Sequence, residues 1–141
     1  MSDKKKVIEA LNEALKIEMG SHIQNVTQGA ILQGMDSLTL RPLFEKMAEE
    51  NLRHAAILRE RIFFLGGSPT MDVGAREVAR ETKDVIAINL KEARSVVDHY
   101  RAIFKMLPKD EEGSKLFEVV EDILESEYED LETFQRLAGQ V

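Results

Sequence analysis

Glycine and proline fall mainly in three places in this chain: Arg41-Pro42, the run from Gly66-Gly67-Ser68-Pro69 to Gly74, and the stretch from Pro108 to Gly113. They divide it into four long segments, none with the alternation of a strand. Apolar residues recur in each at steps of three and four, the period of a helix with one buried face. The punctuation predicts helices over about 4–35, 42–65, 82–107 and 113–138. Short turns join the first helix to the second and the third to the fourth, so each pair is expected to be antiparallel. About sixteen residues separate helices two and three, long enough to run the length of a bundle.

A crossover of that length marks the ferritin-like topology among four-helix bundles, and the expected fold class is therefore all-α, an antiparallel bundle of that kind. The 141 residues, 43% of them hydrophobic, suit one domain spanning residues 1–141. Cysteine is absent, which excludes disulfides, thiolate metal sites and cysteine nucleophiles and suits a reducing cytosol. Lys4 to Lys6 are not followed by the apolar run of a signal peptide, and no stretch approaches a membrane span, so a soluble, cytoplasmic protein is expected. A net charge of −7 opposes wrapping nucleic acid, which rests on neutralising phosphates. The glycine-rich run near Gly66 lacks the preceding strand and the spacing of a phosphate loop and reads as a turn.

The inward stripes carry polar residues where a core should be. Helix one gives Val7, Leu11, Leu15, Glu18, His22, Val26 and Gly29; helix three gives Val85, Ile88, Glu92, Val96, His99, Ile103 and Met106. Helix four gives Leu116, Val120, Ile123, Glu127, Leu131 and Phe134, with Asp130 one turn from Glu127. Helix two offers Met47, Asn51, His54, Leu58 and Leu65, with Asn51 and His54 three apart and so neighbours on one face. Buried carboxylates need partners, because desolvating an unpaired one costs several kcal/mol or more. Three stripes that each carry a mid-helix Glu point to metal ions as the compensating charge. The arrangement to compare is the di-metal bundle built from one Glu on each of two helices and a Glu-x-x-His pair on each of the others. Here Glu18 and Glu92 are the single glutamates, and Asn51-x-x-His54 and Glu127-x-x-Asp130 fill the pair positions. His22 reads as a core histidine hydrogen-bonded to a neighbour, His99 has no metal role, Glu50 is a solvated charge, and Met47 and Met106 are packing residues.

The sequence resembles a bacterioferritin over nearly its whole length. The stretch from His54-Ala55 through Glu60-Arg61-Ile62 to Phe64-Leu65 is similar to that family's second helix, Asn89-Leu90-Lys91-Glu92 to its third, and Ile123-Leu124-Glu125 through Glu127 to its fourth. Such proteins are hollow iron stores whose subunits oxidise Fe(II) at a di-iron centre. The resemblance implies Glu18, His54, Glu92 and Glu127 as metal ligands, with Asn51 where the family has a bridging Glu and Asp130 where it has a His. Charge is conserved across these changes: Glu18, Glu92, Glu127 and Asp130 still carry four negative charges, enough for two divalent ions. Two unequal subsites are expected, one of Glu18, His54 and Glu127, the other of Glu92, Glu127 and Asp130, whose all-oxygen set suits Mn(II) or Fe(II). Leu52 stands at the haem-ligand position and cannot ligate iron, so no haem is expected. The family's short fifth helix has no counterpart before Val141, so a large shell is not expected.

The function the resemblance implies is iron handling: two ions per chain, iron or manganese, with Fe(II) oxidation by dioxygen or peroxide and storage in a homo-oligomer built from dimers through helices one and two. Two other classes use the same bundle, a metal-poor structural or regulatory subunit and a di-metal redox enzyme acting on a small molecule.

Overall fold

The computed structural model describes residues 2–141 and contains four helices, α1 (Ser2–Ile31), α2 (Asp36–Phe64), α3 (Thr82–Met106) and α4 (Glu111–Leu137), with no strand among the described residues. The first turn lies earlier than Arg41-Pro42. Gly34 takes a left-handed φ of 74°, and the Ser37 amide and hydroxyl both donate to its carbonyl. There α1 ends and α2 begins, because a residue with a Cβ resists that backbone angle and glycine does not. Pro42 therefore sits inside α2. Its missing N–H leaves the Leu38 carbonyl to solvent, and Leu38 is 78% exposed. At the start of α4 the Asp110 side chain accepts from the Gly113 amide at 2.8 Å, a cap for the first turn.

Contacts give the helix directions. Gly29 lies against Phe44, His22 reaches the Ala48 carbonyl, Glu18 meets His54, and Ile8 lies beside Gly67, so α2 descends as α1 rises. The crossover, residues 65–81, then climbs back along α1. Asn12 donates to the Ser68 carbonyl and accepts from the Thr70 amide. Gly74 N donates to the Lys16 carbonyl, Gln24 donates to the Glu77 carbonyl, and Gln28 exchanges two hydrogen bonds with the backbone of Ala79. These α1 residues recur every four positions, one stripe of the helix. Gly20 belongs to the same stripe, where a Cβ would come within 2.4 Å of the Gly74 oxygen. The crossover thus traverses the bundle and delivers α3 parallel to α2.

Two apolar clusters fill the interior. One holds Leu11, Leu15, Leu58, Ile62, Ile103 and Ile123, and the other holds Leu32, Leu40, Phe44, Met47, Val85 and Phe134. Truncating a member such as Ile62 to Ala costs about 2–5 kcal/mol by lost burial and the cavity left behind. On α1, α2 and α3 the two clusters are separated by buried polar residues, Glu18, Gln24, Asn25 and Gln28, then Asn51 and His54, then Asn89, and on α4 Glu127 is buried between Leu124 and Leu131 of the first cluster.

The inward stripes of α2 and α4 are buried as expected, and those of α1 and α3 need correction. On α1, Val26 is 45% exposed and His22 only half-buried; past Glu18 the inner face turns to Gln24, Asn25 and Gln28. On α3 the buried line is Val85, Asn89, Ala93, Val96, Val97, Tyr100 and Ile103, which leaves Ile88, Glu92 and His99 half-buried at its edge and Met106 exposed. The buried polar groups of α3 are satisfied, which is why they tolerate the core: Asn89 donates to the Val85 carbonyl, and the Tyr100 hydroxyl donates to Glu18.

Candidate metal centre

Glu18 from α1, His54 from α2 and Glu127 from α4 are all buried, and their ligand atoms lie within 4.8 Å of one another. His54 Nδ1 is 3.4 Å from Glu18 Oε1 and 3.5 Å from Glu127 Oε1. At those lengths neither contact is a well-formed hydrogen bond, so charge attraction accounts for most of the pairing. The other ring nitrogen, Nε2, faces the Arg53 guanidinium at 3.3 Å. A guanidinium can only donate, so the neutral ring carries its proton on Nδ1, between the two carboxylates.

The groups perturb each other strongly. Burial raises an isolated carboxyl, yet at Glu18 it is outweighed by His54, by the Tyr100 hydroxyl at 2.6 Å and by the Asn51 amide at 2.9 Å, and the pKa falls below its ordinary value. Glu127 lacks those donors, and burial together with the Glu18 charge pushes it well above the usual range. Burial works against a charged His54, but Glu127 and Glu18 prevail and push it up to about 9. Tyr100 is held in its protonated form by burial and by the two carboxylates. Without a cation, the two carboxyls therefore favour a proton on His54 Nδ1, and burial with the Glu18 charge favours the protonated form of Glu127. A cation that binds there takes the place of the Nδ1 proton.

The other expected ligands lie to one side. Asn51, Glu92, Glu127 and Asp130 line a cavity of about 30 Å³ that also touches Gln24, Asn25 and Phe134. Asn51 turns its amide nitrogen to Glu18, while its oxygen accepts from Asn25 Nδ2 at 2.8 Å. Glu92 accepts from Gln24 and pairs with Arg76 of the crossover; burial raises its pKa against those two partners. Asp130 is pushed up to about 7, by burial first and then by Glu50 and Glu18. Glu50 is half-buried rather than free in solvent, and it accepts a hydrogen bond from Ser126. His22 donates to the Ala48 carbonyl, the hydrogen-bonded role expected of it, and His99 donates to the Ala10 carbonyl. Sequence reading missed Tyr100, Gln24 and Arg76. Tyr100 had a legible signal, lying eight residues beyond Glu92 as a large side chain with one polar atom.

Residues 8–141 match the family of ferritin-like domains. The chain belongs to that family. It is also similar to a bacterioferritin of Desulfovibrio desulfuricans, 27% identical over 139 residues, which are 98% of this chain and 77% of that protein. The crystal structure of that organism's bacterioferritin, with its diiron site caught in different catalytic states, aligns with a TM-score of 0.86 at 26% identity over 98% of this chain and 81% of that one. A ferritin-like, diiron-carboxylate protein of Bacillus anthracis aligns with a TM-score of 0.92 at 25% identity, over 98% and 99% of the two chains. The protein is thus bacterioferritin-like in sequence and fold, and a ferritin-like bundle accounts for the buried polar band between its apolar clusters. No helix among the described residues is long and apolar enough to cross a membrane.

Proposed function

We propose that this ferritin-like protein binds iron at Glu18, His54 and Glu127 and oxidises Fe(II) there, with dioxygen or peroxide as the electron acceptor. The observation that carries the reading is the convergence of two carboxylates and an imidazole, each from a different helix, in a buried site. Mixed oxygen and nitrogen donors suit Fe(II) and Mn(II), and no thiolate competes for softer metals. Tyr100 and Asn51 orient the Glu18 carboxylate through its two oxygens, and partners of that kind typically alter metal affinity 10–100-fold when removed. Asp130 and Asn51 line the adjoining cavity, which has room for water.

Two further parts of the reading rest on likeness to the family: storage of the oxidised iron and assembly into a cytoplasmic homo-oligomer through α1 and α2. The outer faces of those helices carry Ile23, Val26, Leu38 and Leu52, all exposed apolar residues. Sedimentation at micromolar concentration gives a dimer or larger on this reading, and a monomer refutes the assembly.

The test of the site is anaerobic Fe(II) binding followed by exposure to oxygen, read as loss of chelator-reactive Fe(II). The parent consumes Fe(II) faster than buffer alone, and His54→Ala does not. A parent that binds no metal puts the structural-subunit reading ahead. That reading is favoured by one observation, the Asn51 amide that satisfies Glu18 without any ion.

A further inference from the structure

Glu92 was expected as a metal ligand, yet both of its oxygens are already engaged, one by α1 and the other by the crossover. Oε1 accepts from Gln24 Nε2 at 2.5 Å, and Oε2 lies 3.6 Å from Arg76 Nη1. The pair is sheltered, with side chains 20% and 18% exposed, so water and salt screen it less than a surface ion pair. Arg76 is positioned by its backbone neighbours. Gly74 is bonded to the Lys16 carbonyl on one side, and Glu77 and Ala79 are bonded to Gln24 and Gln28 on the other. The single Gln24 amide thus joins the crossover backbone to the Glu92 carboxylate. Arg76 Nε is buried and without a partner, so the guanidinium is held in this place without all of its donors being satisfied.

The rest of the site shows the same division. Glu18, His54 and Glu127 gather within 4.8 Å of one another without Glu92. Asn51, at the position implied for a bridging carboxylate, brings no negative charge and presents a donor to Glu18. A carboxylate shared with a second metal ion and a carboxylate paired with a guanidinium are alternative ways to neutralise the same charge. Arginine stays protonated throughout the pH range of a folded protein, so its charge at Glu92 is permanent. A second dication beside Glu92 would meet a like charge.

We propose that the centre is built for one divalent metal ion, held by Glu18, His54 and Glu127, and that Arg76 occupies Glu92 in place of a second ion. This rests on the iron reading of the three converging residues, and the experiment separates the two. Chelator-stripped full-length protein is titrated with Mn(II), bound ions per chain are counted by equilibrium dialysis, and electron paramagnetic resonance distinguishes an isolated ion from a coupled pair. The parent binds one Mn(II) per chain with an isolated-ion spectrum. Arg76→Gln binds a second ion at least tenfold more tightly than the parent does, and Arg76→Lys, which keeps the charge, stays at one. Two tight ions in the parent, a coupled-pair spectrum, or Arg76→Gln remaining at one ion overturns the proposal while leaving the iron reading intact. A parent that binds neither Mn(II) nor Fe(II) overturns both. Should Arg76→Gln fail to fold, Arg76→Met, which also removes the charge and keeps Glu92, gives the same decision: a second tight ion supports the proposal, and a single ion refutes it.

Discussion

The two sides of the buried polar band are held in opposite ways. Around Glu18 everything is helix: the carboxylate, His54, Glu127, Tyr100 and Asn51 come from four different helices and are shut away from solvent. Around Glu92 the partners are Gln24 and a loop arginine, and both members of the ion pair remain partly exposed. A proton on His54 neutralises the first side and can be displaced. A guanidinium neutralises the second and cannot lose its charge. The contrast shows how one bundle can keep a replaceable cation in one half of a centre and a permanent one in the other.

The largest expected effect breaks the comparison directly. Glu18→Ala and His54→Ala each lower Mn(II) affinity at least about 100-fold, roughly 2.7 kcal/mol, whereas Glu92→Gln produces a loss at least tenfold smaller. Calorimetric titration of the three variants measures this, and equal losses would erase the distinction between the sides. Next comes the effect of the ion on stability. A ligand that binds only the folded form adds about 2.7 kcal/mol at a hundredfold excess over Kd. Mn(II), or Fe(II) without oxygen, should therefore raise the melting midpoint of stripped protein by several degrees, and His54→Ala should show no such rise.

The pH dependence sharpens the contrast, because protons and metal compete for the same atoms. His54, pushed up to about 9, stabilises the empty fold fully below its unfolded value of about 6.5 and loses that contribution as pH rises through 9. Asp130, pushed up to about 7, keeps a proton that the unfolded chain has released above about 4, so its share also falls as pH rises between those values. Chelator-treated protein should be more stable to urea at pH 5.5 than at pH 9.5 by about 1–3 kcal/mol. With metal present the slope should reverse, since loading releases protons. An empty protein that gains stability toward pH 9.5 would contradict this account of His54.

Much of the molecule was legible from spacing alone. The four helices and the crossover followed from the placement of Gly and Pro, and the buried faces of α2 and α4 followed from runs such as Leu116, Val120 and Ile123, where apolar pacing is unbroken. The failures have one physical cause. On α3 the true inner line passes through Asn89 and Tyr100, polar residues whose burial becomes acceptable only once the Val85 carbonyl and Glu18 are in place as partners. On α1 the inner face past Glu18 is amide-rich because Gln24 and Gln28 meet the loop backbone and Asn25 meets Asn51 of α2. Arg76 was hidden for the same reason, since its partner lies on another element and no periodicity connects the two. Pro42 misled because a proline in the second turn of an exposed helix start removes only one hydrogen bond, and the freed carbonyl has water to bond.

Two smaller effects test the supports of each side. Gly20→Ala would drive a Cβ into the Gly74 carbonyl and should cost about 1–3 kcal/mol, read as a lower urea midpoint. Tyr100→Phe removes one donor from Glu18 and should cost about 1 kcal/mol while weakening metal binding by about tenfold. A Phe variant with parental affinity would show that the hydroxyl does not orient the carboxylate.

The stripe of Asn12, Lys16, Gly20, Gln24 and Gln28 also bears on how copies of this chain avoid entanglement. A long connector between two helical hairpins is the kind of segment through which proteins trade identical parts, one copy lending its second hairpin to the next. Here the connector is fastened to its own first helix at Asn12, Lys16, Gln24 and Gln28, with Gly20 allowing close approach between them. To lend α3 and α4 to a neighbour, a chain would have to peel that whole seam before gaining a single foreign contact. The seam thus favours each hairpin pairing with its own chain, even when identical copies crowd together during synthesis.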